Sequence, residues 1–542
     1  MLFNSVTFFV FLIIVYSLYR LLPHKGQNAL LLVASYVFYG WWDIRFLFLI
    51  VVQTALDYAG GLVIHNSFIT KKERLTASLW VIGSAFAFVV VQWSKVDFLR
   101  DSVSWDEVFS WRPGWLIFFA TCIAALLANF LYAKLSSLDA AKKRKLFLLF
   151  SIGGNLVILG FFKYFNFFID NIEVILRGFN LNPAIFHLDI ILPVGISFYT
   201  FQTMSYTIDI YRGKLEPTHK FTDFALFVTF FPHLVAGPIM KAHDLLPQLV
   251  NKRQITLDQT VRGLHLILYG FFKKVVMADG VARTANEVFG AAAHLSWMDA
   301  VVGTLCFAIQ IYGDFSGYSD IARGTANLMG VDLMRNFHFP YFAKNPSDFW
   351  NRWHISLSTW LKEYLYFPLG GNRRGALMTY RNLMLTMLLG GIWHGAAWNF
   401  VLWGLYHGLL LCLHRVKEAF WTLKKFSSNS LVKAANIAFF FCLTCYGWIL
   451  FRAHSIDQIK EITSTLFLGF GDLKLNAVLP TPAALVGLPV FILAEFIGYF
   501  TDGKPLNEVL PVPAWTAMYA AMIFALILGA GYVPSQFIYF VF

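Results

Sequence analysis

The chain has 542 residues, 58% of them apolar and 14% charged, with a mean hydropathy of +0.60. A soluble domain is about half apolar and a quarter charged, so this composition excludes an ordinary soluble protein and predicts an all-α polytopic membrane protein. The net charge of +12 does not call for a nucleic acid, because its clusters fall in short loops between apolar runs, as the positive-inside pattern requires.

The opening MLFNSVTFFVFLIIVYSLYR has no basic leader and no small-residue cleavage site, so it reads as a first span and not as a removable signal. Further apolar runs lie near 27–42, 44–65, 76–93, 114–134, 146–170 and 190–210, and then near 260–280, 297–313, 379–393, 395–414, 434–453, 483–501 and 514–530. Several are short or broken by glycine, and about 11 to 14 spans are expected. Lys25, the Lys71-Lys72-Glu73-Arg74 run and the Lys142-Lys143-Arg144-Lys145 run follow the first, third and fifth runs. Those loops are expected in the cytoplasm, which puts the N terminus outside, and Lys424-Lys425 belongs to the same pattern. The long loops 94–113, carrying Asp97, Asp101, Asp106 and Glu107, and 454–482 are then extracytoplasmic.

Two segments are not plain spans. Residues 221–240, FTDFALFVTFFPHLVAGPIM, have basic residues on both flanks and are interrupted by Pro232, Gly237 and Pro238. They read as a re-entrant element, with a short ordinary span as the alternative. From Phe349 to Pro368, Phe349, Trp353, Leu357, Trp360 and Tyr364 recur on one helical face, opposite Arg352, Ser356, Thr359 and Glu363. This predicts an amphipathic helix at the interface or against the bundle, capped by Ser347 or Asp348.

The five cysteines lie in or beside apolar runs and read as small packing residues, Cys442 and Cys445 included. No P-loop, nucleotide-binding glycine fingerprint, GxSxG elbow or HExxH pair is present, and no metal is implied.

The chemistry-bearing residues concentrate between Asp348 and Gly408. A histidine in an apolar, glycine- and tryptophan-rich stretch costs free energy unless it is paired or lines a wet cavity. His394 is such a residue. Gly390, Gly391 and Gly395 permit close approach, and Trp393, Trp398 and Trp403 offer walls with an N–H each. It reads either as a proton acceptor for a hydroxyl nucleophile or as a packing histidine. His354 precedes a basic run suited to an anionic cofactor. His407, 13 residues beyond His394, would point about 220° away on a straight helix and reads as packing. Asp314 and Asp320 lie at the end of an apolar span, where they are either functional or paired, Arg323 being the local partner for Asp320. Arg352, Lys362, Arg373 and Arg374 read either as a phosphate-attracting face or as a solvated loop.

The segments FFPHLVAGPI (230–239), QIYGDFSGYSDIARG (310–324), DFWNRWHISLSTWLKEYLYFPLGGNR (348–373) and GGIWHGAAWNFVLWGLYHG (390–408) resemble the membrane-bound O-acyltransferase family. They are most similar to its bacterial branch of alginate O-acetyltransferases and related glycan-acetylating proteins. The opening segments and the C-terminal FIYFVF also resemble that branch, and 66–145 is the least similar part. The resemblance implies one transmembrane domain over 1–542, with N-terminal helices at 1–210, a catalytic core at 211–414 and C-terminal helices at 415–542. It implies acetyl transfer from cytosolic acetyl-CoA across a bacterial inner membrane, towards an extracytoplasmic acetyltransferase partner or directly onto an exported polysaccharide. The family's WHG histidine corresponds to His394 and the branch's RWH histidine to His354, both expected to be catalytic. Arg352, Lys362, Arg373 and Arg374 would attract the phosphates of coenzyme A, while Trp393, Trp398, Asn399 and Asp314 are tunnel or oxyanion candidates. D-alanyl transfer to teichoic acid and peptidoglycan O-acetylation are alternatives within the family. A non-catalytic transporter or scaffold is the alternative of another class.

Overall fold

The computed structural model describes residues 1, 3–96, 105–181, 187–290, 295–420, 430–531 and 537–538. Asp97, Asp101, Lys424, Lys425 and the last four residues of FIYFVF lie outside them. Every regular element among the described residues is helical. Eight described helices are long and apolar enough to cross a membrane: Phe46–Asn66, Lys71–Val90, Arg112–Leu135, Ala140–Gly178, Trp297–Leu328, Ser430–Arg452, Pro482–Thr501 and Val512–Gly529. Arg112–Leu135 turns Leu116, Phe119, Leu126 and Phe130 outward, as contact with acyl chains favours. Eight is fewer than the expected number because other apolar runs form shorter or more polar helices. Ile196–Tyr211 has 16 residues and buries Thr200, Gln202, Thr203, Ser205, Thr207 and Asp209 among its apolar ones.

The chain packs as two compact units. The first comprises Met1–Val235, Ile239–Ile255 and Met329–Asp332. Phe8, Phe11, Phe38 and Phe231 pack ring to ring in it, with centroids 5.2–6.3 Å apart. Asp57, buried in the Phe46–Asn66 helix, accepts from Ser151 Oγ at 2.6 Å and Asn155 Nδ2 at 2.9 Å, so neutral donors from another helix satisfy it. The expected re-entrant segment forms a helix over Phe221–Thr229 that breaks at Phe230, followed by one turn at Phe231–Leu234. Nine residues extend about 14 Å, under half the hydrocarbon thickness, so Phe221–Thr229 does not span as a continuous helix. Pro232 sets the break, since its ring cannot join a continuing helix.

The second unit comprises Ala236–Pro238, Thr256–Leu328 and Leu333–Phe542. At its centre the Leu257–Phe271 helix crosses Trp297–Leu328 in antiparallel register. A Cβ on Gly263 would meet the Gly324 carbonyl oxygen at 2.9 Å, and one on Gly270 would meet that of Gly317 at 2.7 Å. Glycine at these two levels lets the backbones touch. The loop expected at 454–482 contains a helix, Ile456–Leu468, started by the Ser455 side chain.

The amphipathic helix expected over 349–368 is interrupted. Helix Pro346–Trp350 is capped by Asn345, whose side chain accepts from Asp348 N, and neither Ser347 nor Asp348 is the cap. Helix Ile355–Leu361 begins after His354 and runs into a wider π turn at Lys362–Tyr366. Between them the backbone bonds to residues 336–338: His338 N donates to Arg352 O at 2.9 Å, and Ile355 N donates to Asn336 O at 2.8 Å. Those bonds replace helical ones, so side-chain periodicity alone misjudges the continuity. Phe349, Trp353, Leu357, Trp360 and Tyr364 are all buried.

Candidate active site

His354 and His394 lie in the second unit and come together from separate elements. His394 is the last residue of the Ala376–His394 helix. That helix packs directly on Trp398–Phe420, because a Cβ on Gly404 would lie 2.5 Å from the Met387 carbonyl oxygen and one on Gly391 would lie 3.0 Å from Gly404 Cα. His354 is the residue before the Ile355–Leu361 helix, with φ +43° and ψ +55°. A left-handed conformation costs a residue with a Cβ about 1–2 kcal/mol, and such strain clusters at sites where position matters.

Both imidazoles are buried, His354 completely. Their ring centroids lie 6.3 Å apart. His394 meets Trp393 and Trp403 edge-on at 5.0 Å each, and Phe451 at 5.4 Å. His354 meets Phe315 edge-on at 4.7 Å, lies 6.0 Å from Trp393 and is 6.5 Å from Phe337. Burial pushes the His354 imidazole down to about 3, so it is neutral at physiological pH. Two neighbouring imidazoles set against the same tryptophan ring can take a proton from one group and return it to another.

The other expected residues separate into those near this pair and those committed elsewhere. Trp393 is buried beside both histidines, and Trp403 is buried against His394. Trp398 is 54% exposed and is not a wall. Asn399 donates its amide to the Phe451 carbonyl at 3.0 Å, which secures the end of Ser430–Arg452. Asp314 is ion-paired with Lys274 at 2.8 Å and accepts from Ile538 N at 2.7 Å, so its carboxylate is occupied. Arg352 pairs with Asp348 at 2.7 Å and donates to the His338 carbonyl. Arg373 and Arg374 are exposed.

His407 lies on another helix than His394. The chain breaks after His394, so the two do not share one straight helix, and both flank Trp403, His407 at 4.7 Å. His407 is buried among Phe349, Trp350, Trp403 and Tyr406, which fits packing.

Several polar residues escaped the sequence reading. Lys274 is buried and pairs with Asp279 and Asp314, each at 2.8 Å. Lys273 pairs with Asp320, which Arg323 also approaches at 3.5 Å. Glu495 accepts from Tyr269 and Tyr312, both at 2.7 Å. The signal was available: two adjacent lysines inside the run 260–280 have to be paired or functional.

This arrangement has known relatives. The profile of the membrane-bound O-acyltransferase family matches residues 214–456, which contain both histidines. The probable alginate O-acetylase AlgI of Pseudomonas putida is 35% identical over 99% of this chain and 99% of its own length, so the aligned range takes in 66–145. The peptidoglycan O-acetyltransferase of Helicobacter pylori is 37% identical over 63% of this chain and 68% of its own. The teichoic acid D-alanyltransferase of Bacillus subtilis is 28% identical over 48% of this chain and 68% of its own. With its polytopic helical fold and its buried histidine pair, the chain belongs to the membrane-bound O-acyltransferase family and is an acyltransferase of the membrane.

Proposed function

We propose that this protein moves acetyl groups from acetyl-CoA on the cytoplasmic side of a bacterial inner membrane to the far side, for O-acetylation of an exported polysaccharide of the alginate class. The observation that carries the reading is the buried pair His354–His394, 6.3 Å apart, in a chain similar over 99% of its length to a probable alginate O-acetylase. The peptidoglycan and teichoic acid enzymes cover less of it. A transporter or scaffold reading offers no reason for two imidazoles held side by side in an aromatic wall.

The chemistry needs no nucleotide hydrolysis, because a thioester is already activated. One imidazole takes the proton of the attacking hydroxyl as its oxygen bonds to the acetyl carbon. The carbon–sulfur bond then breaks, and the proton passes to the departing thiolate. Positioned general-base catalysis is worth about 10²–10⁴-fold, and the Trp393 and Trp403 N–H groups are the candidates for stabilising the oxyanion. Arg352, Lys362, Arg373 and Arg374 give the donor's phosphates a basic approach. The acceptor is either the polymer or an extracytoplasmic acetyltransferase that hands the group on, and the positive-inside pattern supports an extracytoplasmic N terminus.

The test is ester-linked acetate on the exported glycans of the native host, measured by NMR, with wild-type protein and with His394→Ala at equal membrane abundance. Loss of acetate from one polymer identifies the substrate and makes His394 essential. Unchanged acetate overturns the assignment.

A further inference from the structure

The same second unit has a cavity of about 300 Å³ whose inner wall includes Tyr312 and Phe337. Phe337 packs edge-on against Trp353 at 4.9 Å and stands 6.5 Å from the His354 ring. One aromatic layer therefore separates the cavity from the histidine pair.

The rim is basic for a reason that starts in the sequence. Arg262-Gly263 and Arg323-Gly324 are the same dipeptide on the two helices that cross at their glycines. Contact between Gly263 and Gly324 carries both arginines to the lip of one cavity. Arg335 and Lys504 join them from two other segments. Like charges are not gathered this way without cost.

The carboxylates facing the cavity are largely engaged. Asp320 is held by Lys273, with Arg323 at 3.5 Å. Glu495 accepts from Tyr269 and Tyr312. Asp502 accepts from Arg335 at 3.2 Å and His338 at 2.9 Å, and these partners hold its carboxyl below the usual range. Glu508 is the remaining acid, and His265 is bonded to Tyr519. Arg262 and Lys504 have no carboxylate partner among the described residues.

We propose that this cavity is a phosphate-binding site: Arg262 and Lys504, flanked by the ion-paired Arg323 and Arg335, hold the phosphate ester groups of the soluble acyl donor, whose thioester end is then directed towards His354. The assignment rests on the acyl-transfer reading above. It places the seat of the phosphates away from Arg352, Lys362, Arg373 and Arg374, which serve only the approach. A cavity of this size accommodates a diphosphate and its neighbouring atoms, and guanidinium forks match phosphate oxygens in pairs.

The test is calorimetric binding of coenzyme A and of inorganic pyrophosphate to the full-length His394→Ala protein in zwitterionic nanodiscs, where no transfer occurs. Arg262→Gln and Lys504→Gln replace exposed residues outside the histidine site, so folding is expected to survive. Each is expected to weaken coenzyme A binding about tenfold to a hundredfold, with Arg262→Lys recovering part of the loss and Lys460→Gln, at an exposed lysine paired with Asp457, changing it little. Equal binding in all variants overturns the site. So does a result in which phosphatidylglycerol raises the melting temperature only when Arg262 is present and coenzyme A neither binds nor displaces it, since the occupant is then a lipid headgroup. If the variants lose binding as expected while His394→Ala leaves glycan acetate unchanged, the phosphate site stands and the acetyl-transfer assignment fails.

Discussion

Gly391→Ala is the sharpest probe of how the histidine pair is held. The added methyl would press into the Phe400 carbonyl oxygen and lie 3.0 Å from Gly404 Cα and 3.1 Å from Gly404 N. Carbon–carbon contact is comfortable near 4 Å, so the Ala376–His394 and Trp398–Phe420 helices have to separate by about 1 Å. Neither obstacle is a flexible side chain, and overpacking of this kind costs about 1–3 kcal/mol. His394 is one turn beyond Gly391 and moves with its helix, while His354 is held by the backbone of residues 336–338. A 1 Å misplacement can cost about a hundredfold in rate. We expect a lower melting temperature in detergent and a drop in glycan acetate of that order per folded molecule. Gly153→Ala is the control, because a Cβ there meets nothing within 4 Å. Wild-type stability and acetylation in Gly391→Ala would refute the close crossing as the device that positions His394.

Two further outcomes follow from buried ionisable groups. Unfolded histidine binds a proton below about 6.5, whereas folded His354 stays neutral down to about 3. Its contribution to stability is therefore fully present above 6.5 and is lost as pH falls towards 3, at about 1.4 kcal/mol per pH unit. His354→Asn, whose side chain tolerates a left-handed backbone, should flatten the acid side of a melting temperature–pH curve and abolish transfer at neutral pH; a curve superimposable on wild type would count against this. Lys274→Met leaves Asp279 and Asp314 buried without their common cation. A loss of about 3–5 kcal/mol is expected from chemical denaturation in detergent, and a loss below 1 kcal/mol would mean that the carboxylates find other compensation.

Much of the site was readable in the sequence because its cost was readable. His354 and His394 are polar residues in apolar surroundings, and the residue types around them permit close backbones and bulky walls. The helical class and the break near Pro232 follow from composition and local chemistry in the same way. The remainder depends on partners far away in the chain. Continuity through 349–368 fails because residues 336–338 take over its backbone hydrogen bonds. Asn399 was a plausible oxyanion group and Asp314 a tunnel candidate by position, but the Phe451 carbonyl engages the one and Lys274 the other. His407 was judged on a straight helix that ends at His394.

These long-range partners form a sequence of constraints that ends at the chemistry. Gly270 and Gly317 bring two backbones into contact, and the Leu257–Phe271 helix passes into a π segment, Phe272–Ala278, that carries Lys273 and Lys274. Lys274 then reaches Asp314. The next residue, Phe315, presents its ring to His354 at 4.7 Å. A buried ion pair is a poor source of net stability, because desolvation offsets most of its attraction. It is nonetheless a directional tie, and it acts on the helix one residue from the Phe315 ring. Lys274→Met should therefore lower acetyl transfer per folded molecule as well as stability. If it lowered stability alone, the ion pair would be a structural tie only, and His354 would owe its place to residues 336–338.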